Sequence, residues 1–282
     1  MNRWYEEVLH PGLSFKLEAG KVLYDSETEH QRVVIFENPA FGLVMTLDDI
    51  VQTTQGDEFI YHEMLAHVPI LSHGAARKVL IVGGGDGGML EEVLKHAAIE
   101  RATLVEIDAS VVDLAKQHLR PICGAAFEDP RSDLVIADGV EFVARAQSRY
   151  DVIIIDSTDP VGPGEALFQE DFYKGCRRCL APGGILVTQN GVPFLQGPEL
   201  TGSLACFRRL FADATCYLAT VPTYFGGPMA FGWASDDPAP RRVALEALRT
   251  RFAAAAIETG YYTPEVHLGA FALPPYIAKL IA

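Results

Sequence analysis

The stretch Val79-Leu80-Ile81-Val82-Gly83-Gly84-Gly85-Asp86-Gly87-Gly88 constrains this chain more than any other. Four apolar, mostly β-branched residues predict a strand buried on both faces, as in a parallel sheet. The glycines then let the backbone turn sharply and approach a ligand with no Cβ in the way. Met89 to His96 resumes with good helix formers, so the loop opens onto a helix N-terminus. Strand, glycine turn and helix in this order form the first βα unit of a nucleotide-binding sheet.

Gly83-x-Gly85-x-x-Gly88 fits the dinucleotide pattern, and Glu106 supplies an acid at about the usual ~20-residue spacing. Glycine-rich turns are common, so the match alone is weak. Asp86 argues against NAD, because it stands where a pyrophosphate would lie. Two like charges ~4 Å apart cost roughly 1 kcal/mol in water and roughly 4 at an effective dielectric of 20. An acid here repels phosphates and welcomes a cation. The loop therefore suggests a positively charged nucleoside, such as a sulfonium derived from S-adenosylmethionine.

From Arg77 onward strands and helices alternate. Strands are predicted at Lys78–Val82, Thr103–Ile107, Leu134–Ala137, Asp151–Ile155 and Ile185–Gln189. Helical runs fall near 89–96, 110–119, 139–146 and 168–180, the last closed by Pro182-Gly183-Gly184. A helix near 197–211, strands near 215–221 and 229–234, and a helix near 241–258 follow. This is a Rossmann-like α/β fold with a doubly wound, mostly parallel sheet, of the S-adenosylmethionine-dependent methyltransferase type. Residues 1–56 instead alternate in the manner of short antiparallel strands broken by turns, which predicts a small N-terminal β-domain before a catalytic domain at 57–282. A helix is predicted from Asp57 to about Val68, ended by Pro69.

Four of these strands end in an acid: Asp86 just past the first, then Glu106 and Asp108, Asp138, and Asp156. Ligands of such sheets bind beyond the carboxyl ends of strands, so four strands aim carboxylates at one crevice. A helix N-cap is the better reading for Asp108, which precedes Ala109-Ser110. Glu106 suits a ribose diol, since a carboxylate accepts two hydroxyl protons, and Asp138-Gly139 would sit beside the base. Asp156-Ser157-Thr158-Asp159 places two acids three apart in a loop stiffened by Pro160 and Pro163. Close acids raise each other's pKa, which makes a carboxylate a usable base.

The net charge of −14 makes nucleic acid an unlikely partner. No stretch of 18 apolar residues occurs, and the first residues lack an apolar signal core, so a cytoplasmic protein is expected. Five cysteines without disulfide-like spacing fit a reducing compartment; Cys176 and Cys179 read as buried thiols rather than a metal or redox pair. His62-Glu63-x-x-x-His67 has the wrong spacing for a zinc helix, and no metal is expected.

The chain resembles the polyamine aminopropyltransferases, and among them the bacterial spermidine synthases. The resemblance is carried by Thr28-Glu29-His30-Gln31, Leu47 to Thr54 (LDDIVQTT), Asp57 to Met64 (DEFIYHEM) and the glycine loop. Val105-Glu106-Ile107-Asp108, Asp138-Gly139, Asp156 to Pro163 and Pro222 to Gly227 (PTYFGG) complete it, so it spans nearly the whole sequence. It implies transfer of an aminopropyl group from decarboxylated S-adenosylmethionine to putrescine, giving spermidine and methylthioadenosine, with no prosthetic group. Gln31, Glu106, Asp138 and Gly139 then match nucleoside-side positions, with Pro163 lining that site. Tyr61, His62, Asp156, Asp159 and Tyr224 match the amine side, with Ser157 and Thr158 between the two acids. Gln52 falls near the junction of the two sites, and Asp86 matches the group facing the donor's ammonium. Asp156 is implied as proton acceptor, assisted by Asp159 and Tyr61. A homodimer or homotetramer is also implied, with the N-terminal β-domain in the contact. Two other readings share the scaffold: a methyltransferase acting on putrescine, and a non-catalytic polyamine sensor. Asp86 weighs against the first, and an intact set of Asp156, Asp159 and Tyr61 against the second.

Overall fold

The computed structural model describes residues 3–160 and 162–282, leaving out the side chains of Gly162 and Pro163. Strands β1 (Arg3–His10) and β2 (Leu13–Ala19) form a two-stranded antiparallel ribbon. Strands β3 (Val22–Glu27), β4 (Arg32–Asn38), β5 (Gly42–Leu47) and β6 (Ile50–Thr54) form a four-stranded antiparallel sheet in sequence order. The β5–β6 hairpin turns on Asp48 and Asp49, both at positive φ (47° and 65°), the backbone that a two-residue hairpin with the right twist requires. Strand β1 has no counterpart in the sequence-based reading. Its alternation mixes Glu and His with Val and Leu, because it buries Glu7 and leaves Val8 and Trp4 outside.

Helix α1 (Glu58–His73) follows, then β7 (Lys78–Gly83), α2 (Gly88–Lys95), β8 (Arg101–Glu106), α3 (Ala109–His118), the single turn α4 (Arg120–Cys123) and β9 (Ser132–Ile136). The chain continues through α5 (Gly139–Arg145), β10 (Tyr150–Asp156), α6 (Glu170–Cys179), β11 (Leu180–Gln189), α7 (Gly197–Leu210), β12 (Asp213–Ala219) and β13 (Met229–Ser235). Helices α8 (Leu245–Ala255), α9 (Pro264–Ala270) and α10 (Pro275–Leu280) close it. The large sheet has the order β12-β13-β11-β10-β7-β8-β9; β7 to β11 run parallel, and β12 and β13 are antiparallel. Side chains of β7 alternate between two cores. Val79 and Ile81 pack with α1 and α2 on one face, whereas Leu80 and Val82 pack with α6 and α7 on the other. That two-sided burial is why the strand reads as an unbroken apolar run.

Two sequence expectations fail here. Pro69 does not end α1; it lies inside the helix, which runs on to a left-handed Gly74 cap. Proline removes one backbone hydrogen bond, but residues 60–72 are all buried in this helix, and packing outweighs that loss. Pro182-Gly183-Gly184 likewise does not follow a helix directly. Helix α6 ends at Cys179, and the three residues form an irregularity inside β11, between the pairings Tyr150–Leu180 and Val152–Ile185. Helices α9 and α10 are too short to show a period in sequence. Cys176 and Cys179 are buried thiols, as expected.

Among the described residues no helix is long and apolar enough to cross a membrane.

Candidate active site

Strands β7 and β10 are neighbours, with Gly83 opposite Asp156 in register. The strand order reverses here, with β8 on one side of β7 and β10 on the other, and the crevice beyond such a switch point is where ligands bind. A cavity of about 490 Å³ opens there, within the range of small-molecule sites. Gly83 sits at φ 83°, and a Cβ on it would collide with the Asp156 carbonyl oxygen. The glycine is thus required both by its conformation and by the closeness of the two strand ends.

The cavity gathers Gln31, Gln52, Tyr61, His62, Asp86, Glu106, Asp138, Gly139, Asp156, Ser157, Thr158, Asp159 and Tyr224. Every sequence-derived site residue whose side chain is described therefore lines it; the Pro163 side chain lies outside the described residues. Asp108 is left out of the cavity lining and caps α3, accepting from the Ser110 amide at 2.9 Å. It also receives the Thr28 hydroxyl (2.6 Å) and the Gln31 amide (3.2 Å), so it holds the β3–β4 loop over the crevice. Asp138 lines the cavity and caps α5 as well, accepting from the Val140 and Glu141 amides.

One side of the cavity suits a nucleoside. Glu106 Oε1 accepts the Asp108 amide at 3.0 Å, and burial pushes the Glu106 pKa up to about 7 against the backbone amides that favour its charge. The other side is crowded with titrating groups. Tyr61 donates its hydroxyl to Asp156 Oδ1 at 2.6 Å, while Asp156 Oδ2 is buried with no partner. Burial first, and then Asp86, raise the Asp156 pKa to about 6, although His62 and Tyr61 pull it down. Asp159 is raised too, by burial. The expectation that the two acids raise each other is thus corrected: the like charge acting on Asp156 is Asp86, and Asp159 sits among Gln189, Gln196 and His10 instead. Asp57 anchors the remaining wall. Its Oδ1 receives Thr54 and its Oδ2 receives both the amide and hydroxyl of Thr223, each at 2.8 Å. Tyr224 next to it donates to the Gln52 carbonyl.

Asp86 does not stand alone. Its Oδ1 accepts the Gly88 amide at 3.1 Å, and its Oδ2 lies 3.6 Å from His62 Nε2. The other ring nitrogen, Nδ1, bonds Glu58 Oε2 at 2.6 Å, one turn back on α1. His62, Asp86 and Asp156 each offer a ligand atom, all within 4.8 Å of one another, so a single cation fits between them. With one imidazole nitrogen already committed to Glu58, an ammonium able to donate several hydrogen bonds suits this trio chemically.

The comparisons with known proteins agree. Residues 58–243 match the model of the spermine/spermidine synthase domain, and residues 3–55 match the spermidine synthase tetramerisation domain. The chain belongs to the spermine/spermidine synthase family. It is 58% identical over 277 residues to a polyamine aminopropyltransferase of a Ruegeria species, covering 98% of both chains. It is 57% identical to polyamine aminopropyltransferase 1 of Pseudomonas aeruginosa, covering 98% of this chain and 97% of that one. Among solved structures, a spermidine synthase in complex with the transition state analogue AdoDATO superposes with a TM-score of 0.94 at 38% identity, over 100% of this chain and 96% of that one. The spermidine synthase of Thermotoga maritima gives 0.91 at 36% identity, over 100% and 95%.

Sequence reasoning missed several residues of this family member's cavity. Glu7 and His10 come from β1, and Gln189 and Gln196 from the end of β11 and the loop beyond it. Glu7 is buried and accepts the Val51 amide at 2.7 Å; burial raises its pKa, and nearby Asp159 adds to the effect. Nothing in sequence ties Glu7 to the glycine loop. Gln189 could have been found, since it ends a parallel strand just as the acids do. Glu58, which bonds His62 from outside the lining, could also have been found, from its i,i+4 spacing.

Proposed function

We propose that this chain transfers the aminopropyl group of decarboxylated S-adenosylmethionine to putrescine, giving spermidine and methylthioadenosine. The observation that carries the reading is Asp156, which lines the cavity together with Asp86: one of its oxygens is held by Tyr61, and the other is buried and unpartnered. The reaction needs a proton acceptor there. Putrescine brings two positive charges and the donor two, whereas spermidine carries three and methylthioadenosine none, so one proton must leave. An alkylammonium like that of Lys has a pKa near ~10.4, and burial lowers it while raising the carboxylate's. The Asp156 carboxyl at about 6 is thereby brought closer to the amine it is to deprotonate.

In this reading Glu106 receives the ribose hydroxyls, with Gln31, Asp138 and Gly139 around the nucleoside and Gln52 at the junction. Asp86 pairs with the donor's ammonium, and the aminopropyl carbon next to the sulfonium points toward Asp156. Putrescine lies along Tyr61, Tyr224 and the Ser157-Thr158 backbone, its attacking nitrogen between Asp156 and Asp159. Its far ammonium reaches toward Glu7, whose second oxygen is free of the Val51 bond. Tyr61 and Tyr224 have pKa values well above that of free tyrosine, chiefly through burial, so they act as hydrogen-bond donors and apolar walls rather than bases. Attack is an in-line displacement at carbon, for which orientation supplies much of the rate. The match of residues 3–55 to a tetramerisation domain, together with the exposed Trp4 and Val8 of β1, supports a homodimer or homotetramer formed through that region.

The test is incubation with the decarboxylated donor and putrescine, cadaverine or spermidine at equal concentration, with methylthioadenosine as readout. Putrescine is expected to be used best. Cadaverine misplaces one charge, and a single methylene discriminates by ~1–3 kcal/mol. Spermidine consumed faster than putrescine would overturn the assignment of acceptor.

A further inference from the structure

His62 is buried with carboxyl groups on several sides. From its own helix Glu58 bonds Nδ1, and the Tyr61 ring lies edge-on at 5.3 Å. Asp86 comes from the β7–α2 loop at 3.6 Å from Nε2, and Asp156 from the end of β10. Farther out, Glu91 of α2 acts on Glu58's side, and Cys123 of α4 on Asp86's. Burial alone would strip the imidazole of its proton; Asp86, Glu58 and Asp156 together outweigh it and raise the His62 pKa to about 10. A Cβ on Gly88 would run into the imidazole ring, so the glycine loop is shaped to admit this side chain.

We propose that His62 is a resident cation that the donor's ammonium displaces: the Nε2 proton leaves to solvent as the ammonium pairs with Asp86, while Nδ1 keeps its hydrogen, donated to Glu58. The inference rests on the reading of Asp86 as the ammonium's partner. Before the donor arrives, the imidazolium partly neutralises two acids that would otherwise lie unpaired in a dry site. Once it arrives, two cations ~4 Å apart would repel by roughly 4 kcal/mol at an effective dielectric of 20. An imidazolium Nε2 can only donate, as an ammonium can, so neither satisfies the other. Loss of the Nε2 proton turns that nitrogen into an acceptor for the ammonium. One N–H bond breaks, its electron pair stays on nitrogen, and the proton passes to buffer. Glu58 is then a positioning residue: by keeping the hydrogen on Nδ1 it leaves the lone pair on the nitrogen that faces the site.

Calorimetry in two buffers of different ionisation enthalpy, near pH 8, tests this on the unaltered enzyme. At that pH Asp156 and Glu106, with pKa values of about 6 and 7, are mostly ionised and contribute little. Decarboxylated S-adenosylmethionine is expected to release about one proton per site, and methylthioadenosine, which has no ammonium, none. Donor affinity should rise toward tenfold per pH unit between about pH 8 and 9, where Glu106 is already ionised, while that of methylthioadenosine stays flat. His62→Gln should bind both ligands with no release, and Glu58→Gln should release a fraction of a proton. Donor binding without proton release, or equal release with methylthioadenosine, overturns the inference alone. A donor that does not bind where methylthioadenosine does overturns the functional reading as well.

Discussion

Helix α1 presents two buried histidines, His62 and His67, whose surroundings drive one to the cationic and the other to the neutral form. Both lie in a dry interior, where burial by itself favours neutral imidazole. His67 follows that rule: its pKa falls to about 3, through burial and then Lys95, although Glu63 opposes. Its Nδ1 meets His96 Nε2 at 3.0 Å, and His96 is likewise lowered to about 3, by burial and by His67 itself. His67 Nε2 does lie 3.1 Å from Glu92, but Lys95 Nζ holds that same carboxyl at 2.7 Å, so the pair offers little net charge. His62 faces Glu58 and Asp86 with no lysine or arginine among its determinants, and it takes up a proton. Burial sets the cost, and uncompensated neighbouring charge decides the sign. One end of the helix therefore faces a polar, ligand-ready site and the other a neutral core.

The largest expected effect breaks the charged end. Asp156→Asn should lower turnover by roughly 10²–10⁴-fold, the usual contribution of a general base, while leaving donor binding within a few-fold. Methylthioadenosine release at saturating substrates measures it; near-normal turnover would move the proton acceptor to Asp159 or to solvent.

Gly88→Ala should come next. Its Cβ would press on the His62 ring, and overpacking of this kind costs roughly 1–3 kcal/mol. Gly202→Ala, exposed inside α7 with open space around it, is the control and should raise the denaturation midpoint, since Ala is better than Gly in a helix interior by about 0.5–1 kcal/mol.

The two histidines should also mark stability with opposite pH dependence. The His67 pKa is depressed on folding, so the unfolded chain takes up its proton first, and stability is lost as pH falls from 6.5 toward about 3. That of His62 is raised, so its contribution is complete below 6.5 and is lost as pH rises toward about 10. Each slope is at most about 1.4 kcal/mol per pH unit. Denaturant unfolding of His67→Asn and His62→Gln against the unaltered chain should show the cost of the first substitution shrinking in acid and of the second shrinking in base. Parallel pH profiles would refute the contrast.

The smallest effect sharpens the comparison. Lys95→Met leaves Glu92 uncompensated beside His67, and the His67 pKa should rise by about a unit or more, as for any histidine gaining a nearby carboxylate. Imidazole NMR titration reads it, and an unmoved resonance would show that Lys95 does not screen Glu92.

Legibility in the sequence followed the range of the interactions. The parallel strands were readable because β7 and β10 are buried on both faces and so run apolar without a break. The acids at their ends were readable because a sheet of this kind delivers its strand ends to one edge. Pro69 misled, since local propensity cannot weigh a helix buried along most of its length. Strand β1 and Glu7 were invisible because their burial depends on β6 and the cavity, far along the chain.

By itself, the sequence determined the doubly wound sheet, the glycine turn after its first strand, and the set of carboxyl groups gathered at one crevice. Those follow from hydrophobic periodicity and from residue chemistry within a few positions. Only the tertiary structure decided which acids act on which. It placed Asp86 rather than Asp159 against Asp156, and it gave His62 a proton while denying one to His67. Electrostatic energies in a dry interior depend on separations of a few ångströms between groups from different elements, and no pattern along the chain encodes those distances.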